Sequence, residues 1–241
     1  TETRIAVTKA GDPHISVLLH ESVARMEAQS GNLSEADRHL RIARDLVASH
    51  PNAWLEQLCS INAFCIAFLE SNLTAARRHL DQAKRLCRTT GSFASIIENN
   101  EAHLLIRMGR FKEAASRLEP AASGAPSPVQ LAALDGLGLL YFAWNRISEC
   151  EDVLTKLRAL HDDNKTGPSF ALRWSLIARV RLVLERGEWQ SAIDITSGAI
   201  AKGLTRGDKH LVASLSMLQA EAYARSGQAA MSSGAVLRAI A

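Results

Sequence analysis

With 241 residues, 47% of them hydrophobic but only 5% aromatic, the chain can bury extensive apolar surface through small and aliphatic side chains. Its charged fraction of 22% and formal net charge of +3 do not mark a nucleic-acid-binding domain, which usually carries a concentrated basic stripe. Cys59, Cys65, Cys87 and Cys150 form no C-x-x-C pair, and the longest apolar run, Ile61 to Leu69, contains Asn62 and falls well short of the ~20 residues of a membrane span. Free core thiols, a cytoplasmic location and no membrane contact are the expectations.

Residues 1–15 read as a lead-in, the end of a preceding helix, and residues 16–241 as an array of helices. A start at Thr1 without Met, and an end at Ala241 inside a helical pattern, lead us to expect a fragment of a larger protein. In chain order, one turn pattern recurs. It runs Gly31-Asn-Leu33-Ser-Glu-Ala36, then Ser71-Asn-Leu73-Thr-Ala-Ala76, then Gly109-Arg-Phe111-Lys-Glu-Ala114. It continues with Asn145-Arg-Ile147-Ser-Glu-Cys150, Gly187-Glu-Trp189-Gln-Ser-Ala192 and a weaker Gly227-Gln-Ala229-Ala-Met-Ser232. The steps between copies are unequal, shortest from Gly109 to Asn145 and longest from Asn145 to Gly187.

Each position has a physical purpose. Gly, Asn or Ser supplies the left-handed backbone that stops a helix. The large apolar residue two further on fills the space between two helices, and the small residue after it lets them cross closely. Ser34 with Asp37, and Ser148 with Glu151, are expected as helix-start capping pairs. Seven residues before the turn stand Ala24, Phe64, Ala102, Gly138, Val180 and Ala220. On the second helix follow Leu40, Leu80, Leu118, Leu154, Thr196 and Val236, then Ala43, Ala83, Ala121, Leu157, Ala199 and Ala239. Small and apolar residues at these offsets predict two helices per unit, each with one packed stripe.

These residues resemble the tetratricopeptide repeat, with its small residue in the first helix, its Gly-x-aromatic-x-x-Ala turn, its second Ala and a closing Pro, here Pro126. The resemblance covers residues 16–241. It implies an all-α fold, a right-handed α-α superhelix of about six helix pairs with turns near 31, 71, 109, 145, 187 and 227. Every unit is longer than the ~34 residues usual in the family, and the extra residues fall in loops between units. Such long units are similar to the repeat regions of large bacterial transcriptional regulators, of the maltose-regulator type or among sigma-54-dependent activators.

In this family the first helices line a concave surface that takes a partner. The resemblance places Leu58, Ile61 and Phe68 there from the second copy, and Asn99, His103 and Arg107 from the third. The fourth contributes Asp135, Leu139 and Phe142, and the fifth Trp174, Ile177 and Arg181. Cys65, Ile96, Ala132, Leu184, Met217, Glu221 and Arg225 share the register. For Phe68, Phe142 and Trp174, groove lining and core filling both fit. An amphipathic helix or extended peptide suits such a groove, and a small inducer and a homodimer are further expectations.

Motifs for chemistry are absent. Gly203 to His210 lacks the Gly-Lys-Ser/Thr ending of a phosphate-binding loop, and the eight histidines show no zinc spacing. No catalytic residue, cofactor or metal is expected. His39 and His79 occupy one repeat position, read as solvated. Asn32-Leu-Ser34, Asn72-Leu-Thr74 and Asn164-Lys-Thr166 match the glycosylation pattern but suit turns equally. Arg38, Arg41, Arg44, Arg77, Arg78, Lys84, Arg85 and Arg88 read as a solvated face of second helices, with Asp37, Asp45 and Asp81 interspersed. The function implied is a non-catalytic interaction domain of a larger bacterial transcriptional regulator or signalling protein; the alternative is a standalone adaptor or assembly scaffold.

Overall fold

A computed structural model describes residues 11–160 and 172–240. Among these residues it contains twelve α-helices. They are α1 (Pro13–Gln29), α2 (Leu33–Ser49), α3 (Ala53–Leu69), α4 (Leu73–Thr90), α5 (Ala94–Arg107) and α6 (Phe111–Ala122). The series continues with α7 (Pro128–Ala143), α8 (Ile147–Leu160), α9 (Arg173–Glu185), α10 (Trp189–Arg206), α11 (Lys209–Arg225) and α12 (Ala229–Ile240). The chain divides into two compact units, residues 1–104 and 105–241.

All six turn residues adopt the left-handed backbone: Gly31, Ser71, Gly109, Asn145, Gly187 and Gly227 have φ between 58° and 81°. The hydrogen bonds explain why. In the first turn the Asn32 amide reaches back to the Glu27 carbonyl at 2.9 Å, and the Gly31 amide to that of Ala28 at 3.1 Å. This paired six-to-one and five-to-two closure satisfies carbonyls that a helix end leaves open. It recurs at Asn72 and Ser71, Arg110 and Gly109, Arg146 and Asn145, Glu188 and Gly187, and Gln228 and Gly227. Gly is the residue that enters this conformation without a Cβ penalty.

The second helix starts two residues earlier than the capping pairs require. Asn32 is the N-cap of α2, so Ser34 already lies inside the helix. The Arg146 carbonyl accepts the Cys150 amide at 3.0 Å, which places Ser148 within α8 as well. The reason is that the residue closing one helix also opens the next. Arg110 shows a variant of this economy: its guanidinium binds Glu113, three residues on, at 2.6 Å.

Packing follows the pattern. The small residues after the turn, Ala36, Ala76, Ala114, Cys150 and Ala192, are all fully buried. So are Ala24 and Ala102 on first helices, and Leu40, Leu80 and Leu118 on second helices are nearly so. Ala-sized contacts let helix axes approach closely. In the unit of residues 1–104, α1 packs on α2 and α3, α2 on α3, and α3 on α4. Val17, Leu40, Val47, Leu55, Cys59 and Ile66 form its core together with the small residues. In the unit of residues 105–241, α7 packs on α6, α8 and α9, α9 on α10 and α11, and α11 on α10 and α12. There Val180, Leu184, Ile193, Ile200, Leu215 and Leu218 close the core. First helices therefore stack on first helices within each unit, with second helices alongside. Val236 is 38% exposed, so the last copy packs its stripe less completely.

Buried polar side chains pin the segments that join hairpins. Gln57 on α3 donates to the Ser92 carbonyl at 2.8 Å and accepts from the Thr90 hydroxyl at 2.6 Å. Gln130 on α7 donates to the carbonyls of Ala122 and Gly124 at 3.1 and 2.8 Å. Arg173, 5% exposed, forms a two-pronged ion pair with Asp208 at 2.8 and 3.1 Å. Asp208 also caps α11 through the Leu211 amide.

Candidate functional site

The first-helix register residues divide sharply by burial. Ile61, Phe68, His103 and Asp135 are each no more than 7% exposed. Their side chains are buried. Phe68 stacks on Phe64 with ring centroids 5.6 Å apart, a packing contact within α3. Burial also holds the His103 imidazole neutral, lowering its pKa to about 4.

Asp135 has a structural role that its spacing concealed. Its carboxylate accepts the Ser175 amide at 2.7 Å and the Trp174 amide at 3.4 Å, so α7 caps the start of α9. Burial pushes its pKa up to about 7, against the opposing pull of Ser175, Trp174 and Arg173. A polar residue at an inward helical position satisfies this role as well as it would a groove, and only the fold distinguishes the two.

The remaining register residues are more open. In the unit of residues 105–241, Leu139 and Phe142 on α7 and Trp174 and Ile177 on α9 are half-buried, while Arg181 is exposed. Ile177 packs partly against the unit's core. Arg107 is exposed and Asn99 half-buried.

The unit of residues 1–104 carries an apolar strip that the register reached only in part. Trp54 is 40% exposed, and its ring lies 5.2 Å from that of Phe93. Leu58 is half-buried beside it on α3, and Ile96, on the first turn of α5, is 47% exposed. Phe93 adopts φ of 59°, a left-handed conformation that costs a bulky residue on the order of 1–2 kcal/mol. The strip thus joins two successive first helices through an aromatic contact. Trp54 lies one helical turn before Leu58, and that spacing was the available signal. Phe93 lies in a loop, where no periodicity applies.

A second feature lies among α2, α3 and α4: a cleft of about 560 Å³. Its charged and polar lining comprises Arg44, Arg78, His79, Glu56, Gln82 and Ser60, and its apolar lining Val47, Ala48, Pro51 and Cys59. The second-helix face is therefore not uniformly solvated. Arg38 pairs with Glu35 at 2.9 Å, Arg41 with Asp37 at 3.0 Å and Lys84 with Glu101 at 2.5 Å, whereas Arg44 and Arg78 line a concavity.

The histidines here are not solvated either. His39 is buried; it receives the Arg38 guanidinium on Nε2 at 2.9 Å and meets His20 Nδ1 through its own Nδ1 at 2.8 Å. An arginine can only donate, so His39 holds its proton on Nδ1 and donates to His20. His79 is half-buried and accepts Arg44 on Nδ1 at 3.3 Å. Burial, then Arg44 and Arg78, lower its pKa to about 4.

All four cysteines are free thiols. Burial raises the pKa of Cys59 strongly and that of Cys150 to about 11, so neither is an activated nucleophile. Among the described residues no group of three His, Cys, Asp or Glu is arranged to hold a metal ion, and no helix is long and apolar enough to cross a membrane. Residues 162–166, with their acidic pair and third glycosylation pattern, lie outside the described residues.

Helical hairpins joined by a shared left-handed turn, with first helices stacked on first helices, define an α-α repeat fold of the tetratricopeptide kind. The same fold occurs in a solved structure reported as a functional characterization of Pseudomonas aeruginosa pilF, a tetratricopeptide repeat protein. The two share 16% identity and a TM-score of 0.52 over 94% of this chain and 92% of that one. No family model and no curated protein matches the sequence.

Proposed function

We propose that this chain is a non-catalytic interaction module whose first helices receive a partner protein or peptide. The observation that carries the reading is the apolar strip of Trp54, Leu58, Phe93 and Ile96, with Trp54 and Ile96 exposed and Leu58 and Phe93 half-buried. Exposed aromatic and aliphatic side chains such as Trp54 and Ile96, fixed on helices, supply the anchors on which interface energy concentrates. In the unit of residues 105–241, Leu139, Phe142, Trp174, Ile177 and Arg181 form the corresponding candidate surface. An amphipathic helix with apolar residues at i, i+3 or i+4, and i+7 is the matching ligand.

Selection of a displayed random peptide library on the immobilised chain tests the reading. Enriched peptides are expected to carry apolar residues at helical spacing. Their binding should weaken by about tenfold or more, a loss of about 1.4 kcal/mol, with Trp54→Ala or Ile96→Ala. Enriched peptides indifferent to both substitutions, or no enrichment, refute it.

The finer reading is a sensing domain of a larger bacterial transcriptional regulator or signalling protein. The long, unequal units support it. A parent chain that carries neither an ATPase nor a DNA-binding domain refutes it and favours a standalone adaptor.

A further inference from the structure

The cleft among α2, α3 and α4 lies apart from the aromatic strip, and the peptide-docking reading makes no use of it. We propose that this cleft binds a small organic anion, a molecule that carries a carboxylate or phosphate group on an apolar body. Four observations converge on that chemistry.

The first is size. About 560 Å³ falls within the range of small-molecule sites, roughly 300–1,000 Å³.

The second is uncompensated charge. Neighbouring arginines on the same helix spend their charge on Glu35 and Asp37. Arg44 and Arg78 have no carboxylate within ion-pair distance among the described residues. Glu56 is the one carboxylate in the lining, and its Oε1 accepts the Gln82 amide at 3.1 Å. Glu21 is buried, accepts the Asn62 amide and makes no ion pair with Arg44. Asp37 acts on His79 only at longer range and is paired with Arg41.

The third is directed donors. Arg44 donates to His79 Nδ1 at 3.3 Å, which fixes the neutral ring in the tautomer with its proton on Nε2. His79 is therefore a third donor beside the two guanidinium groups. Arginine forks match the planar oxygens of carboxylates and phosphates.

The fourth is an apolar wall. Val47, Pro51 and the unreactive thiol of Cys59 would cover a hydrocarbon or aromatic body, and binding would be non-covalent. A nucleic-acid strand would need a longer run of cations and stacking aromatics, and this lining contains neither.

The test uses the full chain with three probes: phenyl phosphate, benzoate and, as the neutral control, benzyl alcohol. Calorimetry measures affinity, and the His79 ring resonances report the site. At least one anion should bind saturably and shift those resonances, and the tighter of the two identifies the preferred group. Arg44→Gln and Arg78→Gln should each weaken binding by about tenfold or more. Arg85→Gln, an exposed change on α4 outside the cleft, should leave it unchanged. Circular dichroism verifies that each variant is folded. Three outcomes overturn the proposal: no anion shifts His79, benzyl alcohol binds as well as the anions, or Arg85→Gln weakens binding as much as Arg78→Gln. The last would reveal diffuse charge attraction rather than a site.

Discussion

Asp135 offers a stability prediction with a definite sign. In the folded chain its pKa rises from the usual 3.8 to about 7, chiefly through burial. Between those two values the native state keeps a proton that the unfolded chain has released. Stability contributed by this residue is therefore complete below about pH 4, declines as pH rises and levels off above about pH 7. At about 1.4 kcal/mol per pH unit, the full decline reaches about 4 kcal/mol. Asp135→Asn removes the titration but keeps an acceptor for the Ser175 amide, the shorter of the two bonds at 2.7 Å. It gives up the longer bond to the Trp174 amide at 3.4 Å, a loss of about 1 kcal/mol or less. The variant should thus be slightly less stable than the parent at pH 3.5, and more stable by about 3 kcal/mol at pH 8. Urea unfolding followed by circular dichroism, at both pH values and for both proteins, measures the difference. A stability difference that does not change sign between pH 3.5 and 8 would show that the carboxylate is ionised without penalty, with the α9 amides outweighing burial.

Three further substitutions test the packing. Leu80→Ala deletes a fully buried side chain at a repeat position of α4 and should cost about 2–5 kcal/mol in chemical denaturation; a cost below about 1 kcal/mol would contradict the core assignment. Gly203→Ala would place a Cβ 2.8 Å from Val212 Cγ2, so overpacking of α10 on α11 should cost about 1–3 kcal/mol, whereas a stabilised variant would mean that α11 shifts freely. Arg173→Ala leaves the half-buried Asp208 without its partner, for an expected loss of about 2–4 kcal/mol, recovered in part by the double variant Arg173→Ala, Asp208→Asn. Equal stability of the single and double variants would sink the ion-pair argument.

The hairpins were legible because backbone geometry dictates their residues. A left-handed turn residue with φ of roughly 60–80° admits Gly, Asn or Ser at small cost, and helices crossing closely admit only Ala, Gly, Ser or Cys. Those restrictions repeat in every copy, so the sequence displays them whatever the chain binds. Surface residues carry no such signature. The inward helical register indicates Leu58 and Ile96 but also gathers Asp135 and His103, because spacing records direction and not what lies opposite. It omits Trp54, although that residue lies one turn before Leu58. In the sequence, Arg44, Arg78 and His79 merge into one solvated cluster with their neighbours, since pairing with Glu35 and Asp37 separates them only in three dimensions.

The unequal spacing of the units has a counterpart in these buried polar groups. A loop between hairpins can vary in length provided that its backbone groups find partners. Gln57 serves the segment around residues 90–92, and Gln130 the segment at 122–124. Asp135 caps α9, and Arg173 holds the Asp208 cap of α11. Gln57 and Arg173 stand fourteen residues before their turns, Gln130 fifteen and Asp135 ten, so no one residue type at one position serves every junction. The turn within a hairpin is closed by its own backbone and therefore repeats; the junction between hairpins is closed by a side chain reaching in from elsewhere and therefore does not. This division accounts for a strong repeat signal over the turns alongside steps that vary from copy to copy, from the short one between Gly109 and Asn145 to the long one between Asn145 and Gly187. It also explains how polar residues can occupy inward-looking positions without belonging to a binding groove.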